Sequence, residues 1–67
     1  MKPLTPAMKE YLEERIVNIL IEQKQTNLDL LRNDIKGFEY LGFDTEGYEK
    51  RYTKIVKHYT FVEDEVY

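Results

Sequence analysis

The sequence contains no cysteine, no tryptophan and a single histidine, His58. Without cysteine there can be no disulfide and no zinc site with thiolate ligands, and one histidine does not replace those ligands. The longest apolar run is three residues, at 19–21, far short of the roughly 18 residues that span a membrane. The N-terminus also lacks the apolar stretch of a signal peptide. We therefore expect a soluble, cytoplasmic protein that does not insert into membranes.

A length of 67 residues predicts one domain, spanning residues 1–67. A core this small stabilises a fold by only about 3–5 kcal/mol. Because disulfides and cysteine-ligated metals are excluded, further stability must come from well-formed helices, a second copy of the chain or a partner. The initial methionine leads us to expect a complete small gene product.

The hydrophobic periodicity predicts an all-α fold, a small antiparallel three-helix bundle with a short acidic C-terminal tail. The first helix is predicted over 6–25, with Thr5 as N-cap and Pro6 at the first helical position. The second is predicted over 27–41, capped by Thr26 or Asn27. The third is predicted over 45–59. Gly42 is expected to end the second helix in the left-handed conformation, with Phe43 folding back onto the apolar face.

Each predicted helix carries one apolar stripe that recurs every three to four residues and is expected to form the core. The stripes comprise Met8, Leu12, Ile16 and Ile19, flanked by Tyr11 and Leu20; Leu28, Leu31, Ile35 and Phe38, widened by Leu30 and Leu41; and Tyr48, Tyr52, Ile55, Val56 and Tyr59.

Charge is distributed unevenly within a net charge of −3. Residues 27–49 carry six acidic and two basic groups, whereas residues 50–60 carry four basic groups and no acid. The acidic second helix and the basic third helix are therefore predicted to be neighbours that pair through their charges.

Val17 and Ile21 interrupt the simple amphipathic pattern of the first helix, because they lie opposite Ile19. Two interpretations remain open. They form a surface that binds another protein or the same helix of a second copy in a homodimer, or they are buried beneath the chain's own third helix or C-terminal segment.

The basic face of the third helix comprises Lys50, Arg51, Lys54 and Lys57. As an alternative function, they would contact phosphates in a helix-turn-helix-like DNA-binding module. A solvated face that complements the helix dipole and a docking site for an acidic protein are the other interpretations. The acidic net charge makes nucleic acid the less favoured partner.

Aromatic residues lie at or beyond the ends of the stripes, and tyrosine is enriched at protein interfaces. We expect Tyr40 and Tyr67 to be partly exposed anchors for a partner and Phe43 to be buried. Residues 61–67 are interpreted as a flexible acidic tail or a short strand, and the tail is also a candidate contact for a basic partner.

No pattern indicates catalysis, a cofactor or a metal. His58 has no nucleophile or carboxylate motif around it, and Asp44–Gly47 lacks the spacing of a calcium loop. We therefore predict a non-enzymatic protein without cofactor or metal that binds another protein, as a regulator or inhibitor of a larger one. Bacteriophages encode many small acidic proteins of this kind, so a phage origin is a further expectation.

Overall fold

The computed structural model describes residues 1–63, and in that range it confirms the predicted all-α, three-helix fold. The helices are α1 (Pro6–Ile21), α2 (Gln25–Tyr40) and α3 (Glu46–His58). Two short strands accompany them, β1 (Lys2–Pro3) before α1 and β2 (Phe43–Asp44) between α2 and α3. In residues 1–63 no helix is both long and apolar enough to cross a membrane.

The first helix begins where its capping signals predict and ends four residues early. The Met8 N–H donates to Thr5 Oγ1 at 3.2 Å, and Pro6 takes the first helical position. The predicted end at residue 25 is wrong, because the chain from Gln23 to Gln25 pairs with Val62 instead. The Val62 N–H donates to the Gln23 carbonyl and the Gln25 N–H to the Val62 carbonyl, both at 2.8 Å.

The second helix starts at Gln25, and the predicted cap at Thr26 or Asn27 is wrong. Lys24 precedes the helix in extended conformation and makes no side-chain cap bond. The Asn27 side chain donates instead to the Glu22 carbonyl at 3.0 Å, which fastens the turn between the helices. At the other end Gly42 adopts a φ of 92°, as expected, and Phe43 folds back half-buried against the core.

The third helix is shorter by one residue at each end than the predicted 45–59. Thr45 makes no side-chain cap bond and is buried. Asp44 supplies the bond instead, since its Oδ1 accepts from the Glu46 N–H at 3.1 Å.

The N-terminal strand was not foreseen from the sequence. β1 and β2 are parallel, with Lys2 aligned to Phe43, and the Lys2 N–H donates to the Gly42 carbonyl at 3.0 Å. This pairing holds Leu4 in the core. A second parallel bridge joins Lys24 to Val62, and Phe61 packs half-buried against the core, so the first two residues of the predicted tail are held to the fold. Residues 64–67 of that tail lie outside the described residues.

The predicted stripes supply nearly all of the core. Its buried members are Leu4, Leu12, Ile16, Ile19, Leu28, Leu31, Ile35 and Ile55. Half-buried residues packed against them are Met8, Phe38, Phe43, Tyr48, Tyr52 and Phe61. Residues expected in the stripes or on their edges that are instead exposed are Tyr11, Leu20, Leu30, Leu41, Val56 and Tyr59. Three short helices bury only the centre of each stripe, because no other helix or strand of residues 1–63 covers the edges.

The second and third helices pack against each other, as predicted, but the expected pairing of their charges is wrong. Arg15 of α1 binds Asp34 of α2 at 2.8 Å, and Arg51 of α3 binds Glu13 of α1. No ion pair joins α2 to α3 among residues 1–63. The cations of α3 are directed toward α1 or outward, so the acidic and basic helices do not meet along their charged faces.

Candidate functional site

Three aliphatic side chains at the end of α1 are exposed and form what we call the α1 apolar patch. Val17 is 51% exposed, Leu20 49% and Ile21 72%. Val17 and Ile21 were candidates from the sequence, and neither α3 nor the described part of the C-terminal segment buries them. Leu20 was assigned to the flank of the buried stripe, and only the packing of α3 shows that it belongs to the patch.

The patch continues into a groove between α1 and α3. Its apolar lining is Ile16, Leu20, Ile55 and Tyr59, and its cationic lining is Arg51 and Lys54. Ile16 and Ile55 are buried, whereas Leu20 and Tyr59 are exposed. The groove therefore has an apolar floor with a lysine at its edge.

The basic face predicted for the third helix is partly neutralised within the chain. Both Glu13 carboxylate oxygens accept from Arg51 Nη1, the longer bond being 2.8 Å. The Arg51 guanidinium also lies 5.4 Å from the Tyr48 ring centre. Lys50 forms an ion pair with Glu46 at 3.2 Å. Burial raises the pKa of the Tyr48 hydroxyl, Glu13 adds to the effect and Arg51 opposes it.

Lys54 and Lys57 are the members of the predicted basic face that form no ion pair within residues 1–63. Within the described chain, two of its four cations are thus available to a partner without breaking an intramolecular contact.

The other end of the α1 apolar patch is acidic. Glu10, Glu13 and Glu14 lie around Val17 on the surface of α1. Glu13 is engaged by Arg51, while Glu10 and Glu14 form no ion pair within the described chain. The exposed face of α1 thus runs from negative charge at its N-terminal half to apolar side chains at its C-terminal half, with Lys54 nearby.

The aromatic candidates do not converge on the α1 apolar patch. Tyr40 is 91% exposed, at the C-terminal end of α2. Tyr11 packs edge to face with Phe38 across α1 and α2, with ring centres 6.4 Å apart. This contact brings the N-terminal half of α1 next to the C-terminal end of α2. Tyr40, the last residue of α2, therefore lies far from Ile21, the last residue of α1. Tyr67 lies outside the described residues.

Arg15 makes a polar contact between α1 and α2. Its Nε donates to Asp34 at 2.8 Å and its Nη2 to the Tyr11 hydroxyl at 2.7 Å. The bond to Asp34, then that to Tyr11, raises the pKa of the Arg15 guanidinium. An arginine held by two fixed acceptors positions the helices and is not a free ligand group.

Two carboxyl groups meet where α2 approaches α3. A hydrogen bond with Glu39 is the main cause that raises the pKa of the Glu49 carboxyl, followed by partial burial and the charge of Glu39. Glu46 adds repulsion, and Lys36 partly opposes the shift. The arrangement costs stability when both carboxyl groups are ionised.

We expect Glu49→Gln to raise the free energy of unfolding at pH 7 by less than about 1 kcal/mol, the scale of partly exposed charge pairs. The pKa of the Glu49 carboxyl is higher in the folded protein than its ordinary value of 4.5. The carboxyl therefore stabilises the fold fully at pH values below 4.5, and this stabilisation is lost as the pH rises through the folded-state pKa. The advantage of the variant should therefore disappear in acid. Urea unfolding at neutral and acidic pH measures it, with Glu63→Gln as the control. An equal gain at both pH values would contradict the assignment.

His58 is exposed in the last turn of α3, where a cation suits the helix dipole. Within residues 1–63, no group of three or more histidine, aspartate or glutamate side chains is placed to hold a metal ion.

Comparison with known proteins adds no assignment to these surfaces, since no protein-family model, curated protein or solved structure matches this chain.

Proposed function

We propose that this chain is a non-catalytic protein-binding module, a regulator or inhibitor of a larger protein, and that it binds through the α1 apolar patch. The observation that supports this is the exposure of Val17, Leu20 and Ile21 side by side on one helix. Contiguous exposed aliphatic side chains on a small protein are typical of an interaction surface.

The patch has the properties of the centre of a small interface. Complete burial of an aliphatic side chain contributes about 1.5–3 kcal/mol, so covering three half-exposed ones adds several kcal/mol. The helix beneath is rigid because Leu12, Ile16 and Ile19 on its other side are in the core. A preformed helix face loses little conformational entropy when it binds.

Capture of a target with matched variants tests the proposal. The full chain, tagged and immobilised, is incubated with nuclease-treated lysate from the source cell or its host. We expect one protein in stoichiometric amount, and at least about tenfold less of it with Val17→Asp or Ile21→Asp. Val56→Asp is the matched control, because it makes the same change at an exposed valine of α3. Tyr40→Ala, in parallel, tests whether the target also reaches the far end of α2.

Circular dichroism of each variant shows whether a loss of capture reflects unfolding. The substituted positions lie outside the core, so we expect the helical content to persist. Capture that is unchanged by both α1 substitutions would contradict the proposal.

DNA binding through α3 is a second candidate, favoured by Lys54 and Lys57, which form no ion pair with any residue of 1–63. Its salt dependence would be weak, since each phosphate contact contributes a slope of about −0.9 in log K against log salt and two cations of the α3 basic face lack an ion pair in the described chain. The same column run without nuclease tests it. Retention of nucleic acid that Lys54→Glu with Lys57→Glu abolishes, with no protein captured, would favour this function over the first.

A further inference from the structure

We propose that two copies of this chain pair through antiparallel α1 helices and that this homodimer covers the α1 apolar patch until a target displaces it. The competition with a target rests on the function proposed above; the pairing of the two copies does not. We choose a second copy as the partner because the α1 apolar patch can face its own copy, with acidic residues at one end and a lysine at the other.

The apolar part of the argument concerns Val17 and Ile21. They are one helical turn apart on the same face, opposite the buried residues of α1. In a twofold-symmetric dimer the same patch is used by both copies, so each contact between two different positions is made twice. Two copies of this short patch facing each other bury both valines and both isoleucines at the centre of one interface.

The charges select the orientation of the two helices. Glu10 and Glu14 lie on the N-terminal side of Val17 and are free of ion pairs in the described chain. Lys54 lies beside Leu20, near the C-terminal end of α1, and forms no ion pair within residues 1–63 either. An antiparallel arrangement brings the acidic half of each α1 to the basic end of the other copy. A parallel arrangement would set acid against acid, which is unfavourable.

The α1–α3 groove extends the proposed interface beyond α1. Leu20 and Tyr59 are its exposed walls, and they continue the α1 apolar patch toward Lys54. A helix of the second copy that packs against Val17 would also contact Leu20 and Tyr59. Tyrosine is a residue type enriched in interfaces.

Analytical ultracentrifugation of the full chain over a wide range of protein concentration tests the pairing. We expect the mass to rise with concentration from 8.1 kDa to twice that value. Val17→Asp and Ile21→Asp should each weaken the dimer at least about tenfold, an effect of 1.4 kcal/mol or more. Val56→Asp should leave it unchanged. A mass of 8.1 kDa at every concentration, or a dimer that neither α1 variant weakens, would overturn the proposal.

A charge exchange tests the orientation. One variant carries Glu10→Lys and Glu14→Lys, and the other carries Lys54→Glu. Each alone should dimerise at least about tenfold more weakly, because its two copies repel, while an equimolar mixture should form the mixed dimer. Failure of the mixture to associate, with the wild type dimeric, would overturn the antiparallel arrangement.

The two proposals fail separately. A monomeric wild type that still captures a target through Ile21 would overturn the homodimer and leave the target-binding function intact. A dimer that dissociates with Ile21→Asp while no target is captured would overturn that function and leave the homodimer intact. If both hold, added target should convert the dimer to a complex that contains one copy of this chain, because both interactions use the same patch.

Discussion

Leu31→Ala is expected to unfold most of the protein. Leu31 is fully buried in α2, the helix that packs against both of the others. Truncation of a buried leucine costs about 2–5 kcal/mol, from lost transfer free energy and from the cavity that remains. A domain of this size has only about 3–5 kcal/mol in total. The substitution therefore removes most or all of the stability.

The measurement is urea unfolding of Leu31→Ala followed by far-ultraviolet circular dichroism, beside the wild type. Ile21→Ala is the control, because it removes an aliphatic side chain of similar size from an exposed site of α1 and should cost less than about 0.5 kcal/mol in the monomer. Comparison at low protein concentration keeps self-association out of the result. A Leu31→Ala protein within 1 kcal/mol of the wild type would mean that α2 is not the centre of the core.

The second large effect is expected at the N-terminus, outside every helix. Leu4 is 7% exposed and belongs to the core. We expect Leu4→Ala to lower the free energy of unfolding by about 2–3 kcal/mol, the lower part of the range for buried leucine because this site lies near a chain end that can relax. The loss should be visible as an earlier urea midpoint with an unchanged slope.

Met1→Ala serves as the control for Leu4→Ala, since Met1 is fully exposed and three residues away. If the strand pairing of Lys2 with Phe43 holds the N-terminus in place, only the Leu4 substitution destabilises the fold. Equal stability of both variants and the wild type would show that residues 1–4 do not contribute to the core.

The start of α1 illustrates what local chemistry predicts well. Thr5 and Pro6 determine where the helix begins, because a side-chain acceptor and a fixed φ act within one turn of the chain. Gly42 likewise marks the end of α2 through its left-handed conformation. The end of α1 was not predictable in this way, because Val62, nearly forty positions away, pairs with the chain at Gln23 and Gln25.

The candidate site, too, was predictable only where it depends on residues close together in the chain. The periodicity showed that Val17 and Ile21 do not belong to the main stripe, since their angle around the helix follows from their spacing. It did not show whether another segment covers them. It also assigned Leu20 to the flank of the core stripe, whereas Leu20 is exposed. The pairing of Arg51 with Glu13 was also beyond the sequence, as it depends on which side of α3 is directed toward α1.

The sequence by itself determined the helices, their stripes and most of the core, because these depend on propensities and contacts within a few residues. Only the tertiary structure decided that Leu4 is buried, that α1 ends at Ile21 and that half of the basic face is neutralised internally. It also decided that Val17, Leu20 and Ile21 remain exposed. Each of these depends on how the three helices and the two chain ends pack, and such contacts join residues distant in the chain.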